Sequence, residues 1–570
     1  MSILQLYMNA CETLGWTPRK LIEEALRRLD EGVNPLIVKL PTGYGKTSIT
    51  LSMGLASQGE DNNWLRVIHV LPMRSIVDDV EMRLRKIVRE INFSRIRVYK
   101  QYMGSPMTPF YCGKGIVVTT LDTFMMNFFK VPASEFRKLI ELGYSHYDIP
   151  RANIYSSAVV FDEFHLLSNI GSLDEELKSL ASILSAIRAL CEVGVPVVIS
   201  TATLPEILIE TIRTILKNRG IEISEQNILR WGELRDQTFE DQRKAVKVSL
   251  EIIEEHEITD IVRKNTERKI LIVVNKVERA VKIFRHISQD AILLHGRLRE
   301  DVKKKRIEEI DNARIIVATQ VVEAGLDKSF DILITDPCPL DRFIQRTGRV
   351  ARFEDSSNGD IYVIDLKDGE QYSGVYSEEL VLHSMKNIEG LCGREYQKLE
   401  FEESLIEKME HVYTTHVDQQ SLLDYRRLRI LIDLDEQPIL GREDAKEAII
   451  NLRGFTNTFG LVTVFDASEI CKELSYEYSV GVPEQFAKKI LESTRMVVMR
   501  ERSMTGHNIV ESYVEEARGS VGEFQLIVLK KKFIDKLLNS EDPLTISLLK
   551  YGIEGVVVER IDPLEGLVWV

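Results

Sequence analysis

The feature that most limits what this chain can fold into is a series of short apolar, β-branched runs, each followed by polar or glycine residues and then by a helix-like stretch. The runs are PLIV (Pro35–Val38), LRVIHVLP (Leu65–Pro72), GIVVTT (Gly115–Thr120), SAVVFDEFH (Ser157–His165), VPVVISTATLP (Val195–Pro205), KILIVVN (Lys269–Asn275), ARIIVATQ (Ala313–Gln320) and DILITD (Asp331–Asp336). A strand with one wet face alternates apolar and polar residues, whereas a continuous run needs cover on both faces, and helical crossovers supply that cover between parallel neighbours. The pattern therefore predicts an α/β fold built on parallel sheets. Between Leu216 and Asn265 the rhythm weakens, which marks a passage between two such sheets, and composition shifts again after GDIYVIDL (Gly359–Leu366). The expected division is a first sheet domain at 1–220, a second at 221–366 and a smaller C-terminal accessory domain at 367–570.

A chain of 570 residues exceeds what one core normally organises. Its 44% hydrophobic and 28% charged residues are ordinary for a globular protein. No apolar run is long enough to cross a bilayer and the first residues carry no signal-peptide pattern, so no membrane partner and a cytoplasmic location are expected. The six cysteines are scattered singly without a C-x-x-C pair, so neither disulfides nor structural zinc is expected.

KLPTGYGKTSIT (Lys39–Thr50) matches a phosphate-cradling loop in all but its first glycine, which is Leu40 here. Strand, loop and helix follow in the right order, so backbone N–H groups of Thr42, Gly43, Tyr44 and Gly45 can converge on a phosphate at the helix N-terminus, with Lys46 and Thr47 beside them. VVFDEFH places Asp162 and Glu163 where a buried strand runs out, the usual place for ligand chemistry in open α/β sheets. Nucleotide hydrolysis needs one carboxylate to hold Mg2+ and a second group to position the attacking water, and these two residues fit those roles. If FIQRTGRVARF (Phe343–Phe353) is a helix, Gln345, Arg349 and Arg352 stand at spacings of four and three and share a face suited to charge on a transferring phosphoryl group. The nucleotide would then sit between Lys46 of the first sheet and these arginines of the second.

LPTGYGKT, VVFDEFH, STATLP, ATQVVEAGLD and QRTGRVAR, in this order, resemble the motifs of superfamily 2 helicases over about residues 1–365. With VLPMRSIVDDV, TTLDTFMMNFF and LLHGRL, the sequence is most similar to the helicase of type I CRISPR interference. The resemblance implies two tandem RecA-like domains and ATP with Mg2+ as cofactors. Lys46 would contact phosphate, Thr47 and Asp162 would hold the metal, Gly325 and Asp327 would line the nucleotide cleft, and Arg349 and Arg352 would be arginine fingers. Thr201, Ala202 and Thr203 would couple hydrolysis to movement, and Pro72, Arg74, Thr120 and Thr319 would follow a nucleic-acid backbone. It also implies a 3′-to-5′ translocase on single-stranded DNA, recruited by a guide-RNA surveillance complex.

Two departures qualify the resemblance. Relatives carry an adenine-reading glutamine three residues after an arginine, but TPRKLIEEAL has Ile22 there, leaving Trp16 or Tyr7 as alternative stacking partners or simple core residues. The family is commonly fused to a nuclease with a His-Asp dipeptide, yet none of the ten histidines precedes an aspartate, so the nuclease is expected as a separate subunit. His165 is the one histidine connected to the site by sequence. Net charge is −14, but MRLRKIVREINFSRIRVYK (Met82–Lys100) is basic, either as a solvated helix face or as a phosphate contact. A DNA-repair or RNA helicase of the same superfamily would share every nucleotide-site residue, and a non-hydrolysing nucleotide-gated clamp is the remaining alternative.

Overall fold

Strands buried on both faces need helices on both sides, and the chain supplies them in alternation. The computed structural model describes residues 1–567 except 60–61, 94, 103–110, 133–134, 136–137, 139–145, 147, 166–176, 288–290, 324–327, 353–357, 366–371, 373, 424, 440, 454–460, 471–473, 501–512, 523 and 541. Gly325 and Asp327 lie outside the described residues. Contacts divide the chain into two units, one of Met1–Ala133, Tyr147–Asn275 and Val322–Gln437 and the other of Ser134–His146, Lys276–Val321 and Pro438–Val570.

The first unit holds two RecA-like parallel sheets. One contains β1 (Leu36–Lys39), β2 (Arg66–Leu71), β3 (Arg97–Gln101), β4 (Gly115–Thr120), β5 (Ala158–Asp162), β6 (Val197–Thr201) and β7 (Ile228–Arg230), in the order β3-β4-β2-β5-β6-β1-β7. All neighbours run parallel. Every residue of β1, β2, β4, β5 and β6 is buried, the physical counterpart of the continuous apolar runs. The edge strand β7 lies beyond the division expected at 220. The second sheet draws on β8 (Lys247–Ile253), β9 (Ile270–Val273), β12 (Ile332–Thr335), β13 (Asn358–Ile364) and β14 (Glu395–Gln397), adjacent in the order β9-β12-β13-β8-β14. Its strands are parallel except β14, which runs antiparallel to β8. Residues as far as Gln437 pack in this unit, past the composition shift at 367.

The second unit contains the parallel pair β10 (Ala291–Leu294) and β11 (Ile315–Ala318) and a six-stranded sheet. That sheet is made of β15 (Leu461–Asp466), β16 (Ser479–Pro483), β17 (Met496–Arg500), β18 (Val514–Val521), β19 (Phe524–Leu529) and β20 (Ile553–Val558), ordered β16-β15-β20-β17-β19-β18. Ala487, Ile490, Leu491, Phe533, Leu537 and Leu548 from three helices cover one face. The segment Asp562–Leu567 lies along the loop after β10. The Leu567 amide donates to the Arg297 carbonyl at 2.9 Å and the Arg306 guanidinium donates to the Leu564 carbonyl at 2.6 Å. Gly566 has φ +71°, and a Cβ there would stand 2.4 Å from the Arg297 carbonyl oxygen, so only glycine permits this approach. Among the described residues no helix is long and apolar enough to cross a membrane.

Candidate active site

The loop leaving β1 is shaped by two glycines with positive φ, Gly43 at +79° and Gly45 at +94°. Leu40 needs no such freedom. Its amide continues the β1–β6 pairing by donating to the Thr201 carbonyl at 3.0 Å, and its side chain is fully buried, so the missing first glycine reflects one further residue of extended chain. The helix Thr47–Ala56 starts directly after Lys46. The Lys46 ammonium lies 3.4 Å from the Leu40 carbonyl and 3.8 Å from Glu163 Oε1.

Asp162 ends β5, and Glu163 follows in the left-handed region at φ +52°, its amide donating to Asp162 Oδ1 at 3.0 Å. A non-glycine residue held there carries local strain of the kind that gathers at functional sites. Burial alone would raise the Asp162 carboxyl, but the hydrogen bond and charge of His69, the Lys46 charge and the Ser200 hydroxyl outweigh it and hold the group below the usual carboxylate range. Glu163 moves the other way. Burial and the Asp162 charge raise it against the lowering effect of Lys46, Arg349 and Arg352. Adjacent carboxylates pushed in opposite directions are suited to different tasks.

Lys46, Asp162 and Glu163 line one cavity of about 570 Å³ with Thr42, Gly43, Gly45, Thr47, Arg349 and Arg352. The arginines reach it from an unexpected local structure. The helix ends at Thr347, and Arg349 and Arg352 stand in the turn beyond it, on either side of Ala351 at φ +44°, so they do not share a helical face with Gln345. The Arg349 guanidinium donates to the Glu323 carbonyl at 2.6 Å and the Arg352 amide donates to Ser329 Oγ at 2.8 Å. Arg346, fully buried, fixes the end of the helix through Glu323 Oε1 at 2.8 Å, Thr335 Oγ1 at 2.7 Å and Asn275 Oδ1 at 2.9 Å. The turn also approaches the phosphate loop closely, since a Cβ on Gly348 would lie 2.7 Å from Thr42 Oγ1.

Gln345 is outside the cavity lining. Its amide donates to Thr203 Oγ1 at 3.4 Å, and Thr201 Oγ1 donates to the Thr203 carbonyl at 3.1 Å and lies 2.8 Å from His165 Nδ1. His165 Nδ1 is 3.6 Å from Glu163 Oε2. Buried polar contacts thus run from the acidic pair to the helix Leu340–Thr347 through His165, Thr201 and Thr203, with Ala202 buried between the two threonines. Burial, followed by the charges of Arg342 and Lys46, pushes His165 well below its ordinary value, so the ring takes part in these contacts as the neutral form. Tyr44 is not among the residues that line the cavity. Its ring packs on Trp231 and Phe239, and its hydroxyl donates to Asp236 Oδ2 at 2.7 Å.

Ile22 is fully buried in the core, so it offers the cavity no polar group. Tyr7 is buried with its hydroxyl accepting the Arg19 amide, and Trp16 is partly exposed; neither lines the cavity. That wall is built by Arg19, whose guanidinium sits 5.2 Å from the Phe239 ring centre, and by Phe239, Gln242, Arg243 and Val246. The last four recur at helical spacing along TFEDQRKAV, a segment that reads in sequence as mere linker. Pro72 and Arg74 stand at the start of the Arg74–Glu90 helix, with the Arg74 guanidinium 5.8 Å from the Tyr102 ring centre, while the Thr120 hydroxyl caps Leu121–Phe128 by accepting the Thr123 amide. Thr319 belongs to the second unit, where its amide donates to the Leu294 carbonyl.

Two contributors escaped sequence reasoning. His69 of β2 stands 3.4 Å from Asp162 Oδ2 through Nε2 and 2.6 Å from Thr50 Oγ1 through Nδ1. A lone histidine inside the apolar run VIHVLP was its signal. Lys398 is fully buried and donates to the carbonyls of Val350 and Ala351, while Glu402, one turn on, pairs with Arg243, which in turn donates to the Thr42 carbonyl at 2.7 Å. The helix Lys398–His416 therefore braces both the arginine turn and the phosphate loop, although its sequence carries no motif. Thr47 and Asp162 supply a hydroxyl and a carboxylate oxygen to the same cavity, a hard donor pair that fits Mg2+.

Residues 19–211 match the DEAD/DEAH box helicase family, and residues 266–355 match the family described as CRISPR-associated nuclease/helicase Cas3, C-terminal. The CRISPR-associated nuclease/helicase Cas3 of Methanothermobacter thermautotrophicus is 26% identical over 452 residues, covering 74% of this chain and 51% of that protein. The CRISPR-associated helicase Cas3 of Thermoproteus tenax is 27% identical over 353 residues, covering 60% of this chain and 57% of that protein. The chain thus spans little more than half the length of these curated relatives. In fold, the crystal structure of T. fusca Cas3-AMPPNP superimposes with a TM-score of 0.60 over 99% of this chain and 71% of that one, at 16% identity. The chain thus carries a DEAD/DEAH box helicase region followed by a Cas3-like C-terminal region, and it is similar to the CRISPR-associated Cas3 helicases.

Proposed function

We propose that this chain is an ATP-driven, 3′-to-5′ single-stranded DNA translocase and helicase of type I CRISPR interference, working with a guide-RNA surveillance complex and a separate nuclease subunit. The observation that carries the reading is one cavity lined by Lys46, Thr47, Asp162, Glu163, Arg349 and Arg352. Lys46 neutralises the β/γ-phosphates, Glu163 orients the attacking water, and the two guanidiniums stabilise charge that grows on the transferring phosphoryl group. Thr47 and Asp162 would hold Mg2+, which supplies charge neutralisation at the phosphates. The Glu163–His165–Thr201–Thr203–Gln345 chain transmits the state of the site to the second sheet. Kinship with Cas3 proteins and a fold match to a chain of a CRISPR RNA-guided surveillance complex, with a TM-score of 0.54 over 97% of this chain, support the cellular setting.

The test compares ATPase stimulation by single-stranded DNA and RNA of equal length, then strand displacement from substrates with 3′ or 5′ tails. DNA stimulation with 3′-tail dependence is expected, and RNA stimulation alone would move the assignment to RNA metabolism. Incubation with circular single-stranded DNA, ATP and Mg2+, Mn2+ or Ni2+ should leave the circle intact until a nuclease subunit is added.

A further inference from the structure

Glu379 and His383 stand four residues apart on the helix Glu378–Glu389, so their side chains leave the same face one turn apart. His416, the last residue of Lys398–His416, meets them there. The His383 and His416 rings stack with centres 3.4 Å apart and an interplanar angle of 20°, and His416 Nδ1 lies 3.5 Å from Glu379 Oε1. One ligand atom from each of the three residues falls within 4.8 Å of the others. The cluster plays no part in the nucleotide cavity and lies outside every helicase motif.

We propose that Glu379, His383 and His416 form a binding site for a divalent transition metal of the zinc class. Two imidazoles and one carboxylate are a donor set that zinc accepts, leaving a fourth position for water. Donors around one tetrahedral zinc stand about 3.3 Å apart and the metal lies in the plane of each imidazole it binds, so loading requires the two stacked rings to turn out of their near-parallel planes toward a common point. Glu379 is exposed and both histidines are half-buried, which gives the ion a route from solvent. A bound ion would tie the end of Lys398–His416 to its neighbouring helix. It would thereby stiffen the element whose other end, through Lys398 and Glu402, braces the arginine turn and the phosphate loop.

The experiment uses the full chain without a histidine tag, stripped with chelator and titrated with Co2+ and Zn2+ alone, following tetrahedral Co2+ absorption and calorimetric stoichiometry. One equivalent of metal is expected, lost in His383→Ala and in His416→Ala and weakened at least tenfold in Glu379→Ala. Lys46→Ala should bind the same equivalent, which separates this site from the nucleotide cavity. Zinc should also raise the melting temperature of the wild type and leave that of His383→Ala unchanged, a readout independent of ATP turnover. Circular dichroism checks that each variant is folded. A wild type that binds no metal, or histidine variants that bind as wild type does, would overturn the proposal.

Discussion

At the residue scale the site divides its work between neighbours of opposite character. Asp162 is held ionised by His69 and Lys46, while Glu163, one residue on and in left-handed backbone, is pushed up by burial. Removing the Lys46 charge should abolish ATP turnover and weaken nucleotide binding, whereas Glu163→Gln should bind ATP with near wild-type affinity and lose hydrolysis, because only water activation is removed. Nucleotide-binding titrations beside single-turnover hydrolysis separate these outcomes; wild-type turnover in Glu163→Gln would remove Glu163 from its role. The contrast between Leu40 and His69 shows what a motif can convey. Leu40 reads as a defect in the phosphate loop, yet it is sound because its backbone is extended and paired with β6. His69 stands out only as a lone histidine in an apolar run, and its partner cannot be read from sequence, because only the pairing of β2 with β5 brings it beside Asp162.

Elements decide where the motif residues point. Continuous apolar runs were enough to read the parallel strands, since burial on both faces leaves no alternative pattern. The condition that the arginine motif be helical throughout is not met, and helix propensity carries no warning of the stop at Thr347, where the Gly348 turn, Ala351 at positive φ and the Lys398 ammonium redirect the chain. Lys398 was illegible for a different reason, lying 46 positions beyond Arg352 in a charged helix that resembles any solvated one. Arg349→Ala should lower kcat by roughly 10³-fold with a smaller effect on nucleotide affinity, as expected for a group acting on the transition state. Lys398→Met keeps the length and removes the two carbonyl bonds. It should lower kcat by about 10²-fold through misplacement of the turn while nucleotide affinity changes little, and a purely structural role would instead shift melting temperature with kcat intact. In the second unit, burial pushes His295 down to about 4, even though the Glu565 carbonyl bond opposes this and Arg306, Arg297 and Lys303 add to it. The Arg297 amide donates to His295 Nδ1, so the proton sits on Nε2 and faces the Glu565 carbonyl, leaving no room for a second. The folded value lies below the ordinary value near 6.5, so the unfolded chain binds more protons, and stability present above pH 6.5 is lost as pH falls toward 4, by on the order of 3 kcal/mol. Urea midpoints from pH 7.5 to 4.5 should fall in the wild type and fall less steeply in His295→Gln.

For the whole molecule, the acidic total of −14 sets a problem for any chain that follows a nucleic-acid backbone. Part of the basic segment found in sequence is paired with acidic residues in the fold. Arg83 faces Asp79 at 3.1 Å, Arg85 pairs with Glu81, and Lys100 meets Asp78 at 2.6 Å, mostly along the helix Arg74–Glu90, where such exposed pairs add little stability but cancel each other's field. Composition could not reveal this, because the acidic partners are interleaved at helical spacing with the basic ones. Under the proposed function a backbone track would therefore draw on fewer cations, with Arg74 proposed among them, and on backbone amides at helix starts, which act over short distances. Two consequences can be measured together. Affinity for single-stranded DNA should fall with rising salt, since each phosphate neutralised releases condensed counterion, but the slope of log K against log salt should correspond to a small number of phosphates, with about −0.7 expected per contact on a single strand. Arg74→Ala should reduce that slope by close to one contact and weaken binding to all sequences alike, because a backbone contact carries no base information. Fluorescence anisotropy with poly-pyrimidine and mixed-sequence oligonucleotides from 50 to 200 mM salt reads both quantities at once. An affinity independent of salt would exclude a phosphate track on this acidic surface, and a loss in Arg74→Ala confined to one sequence would make Arg74 a base contact, which a motor moving along arbitrary DNA could not use.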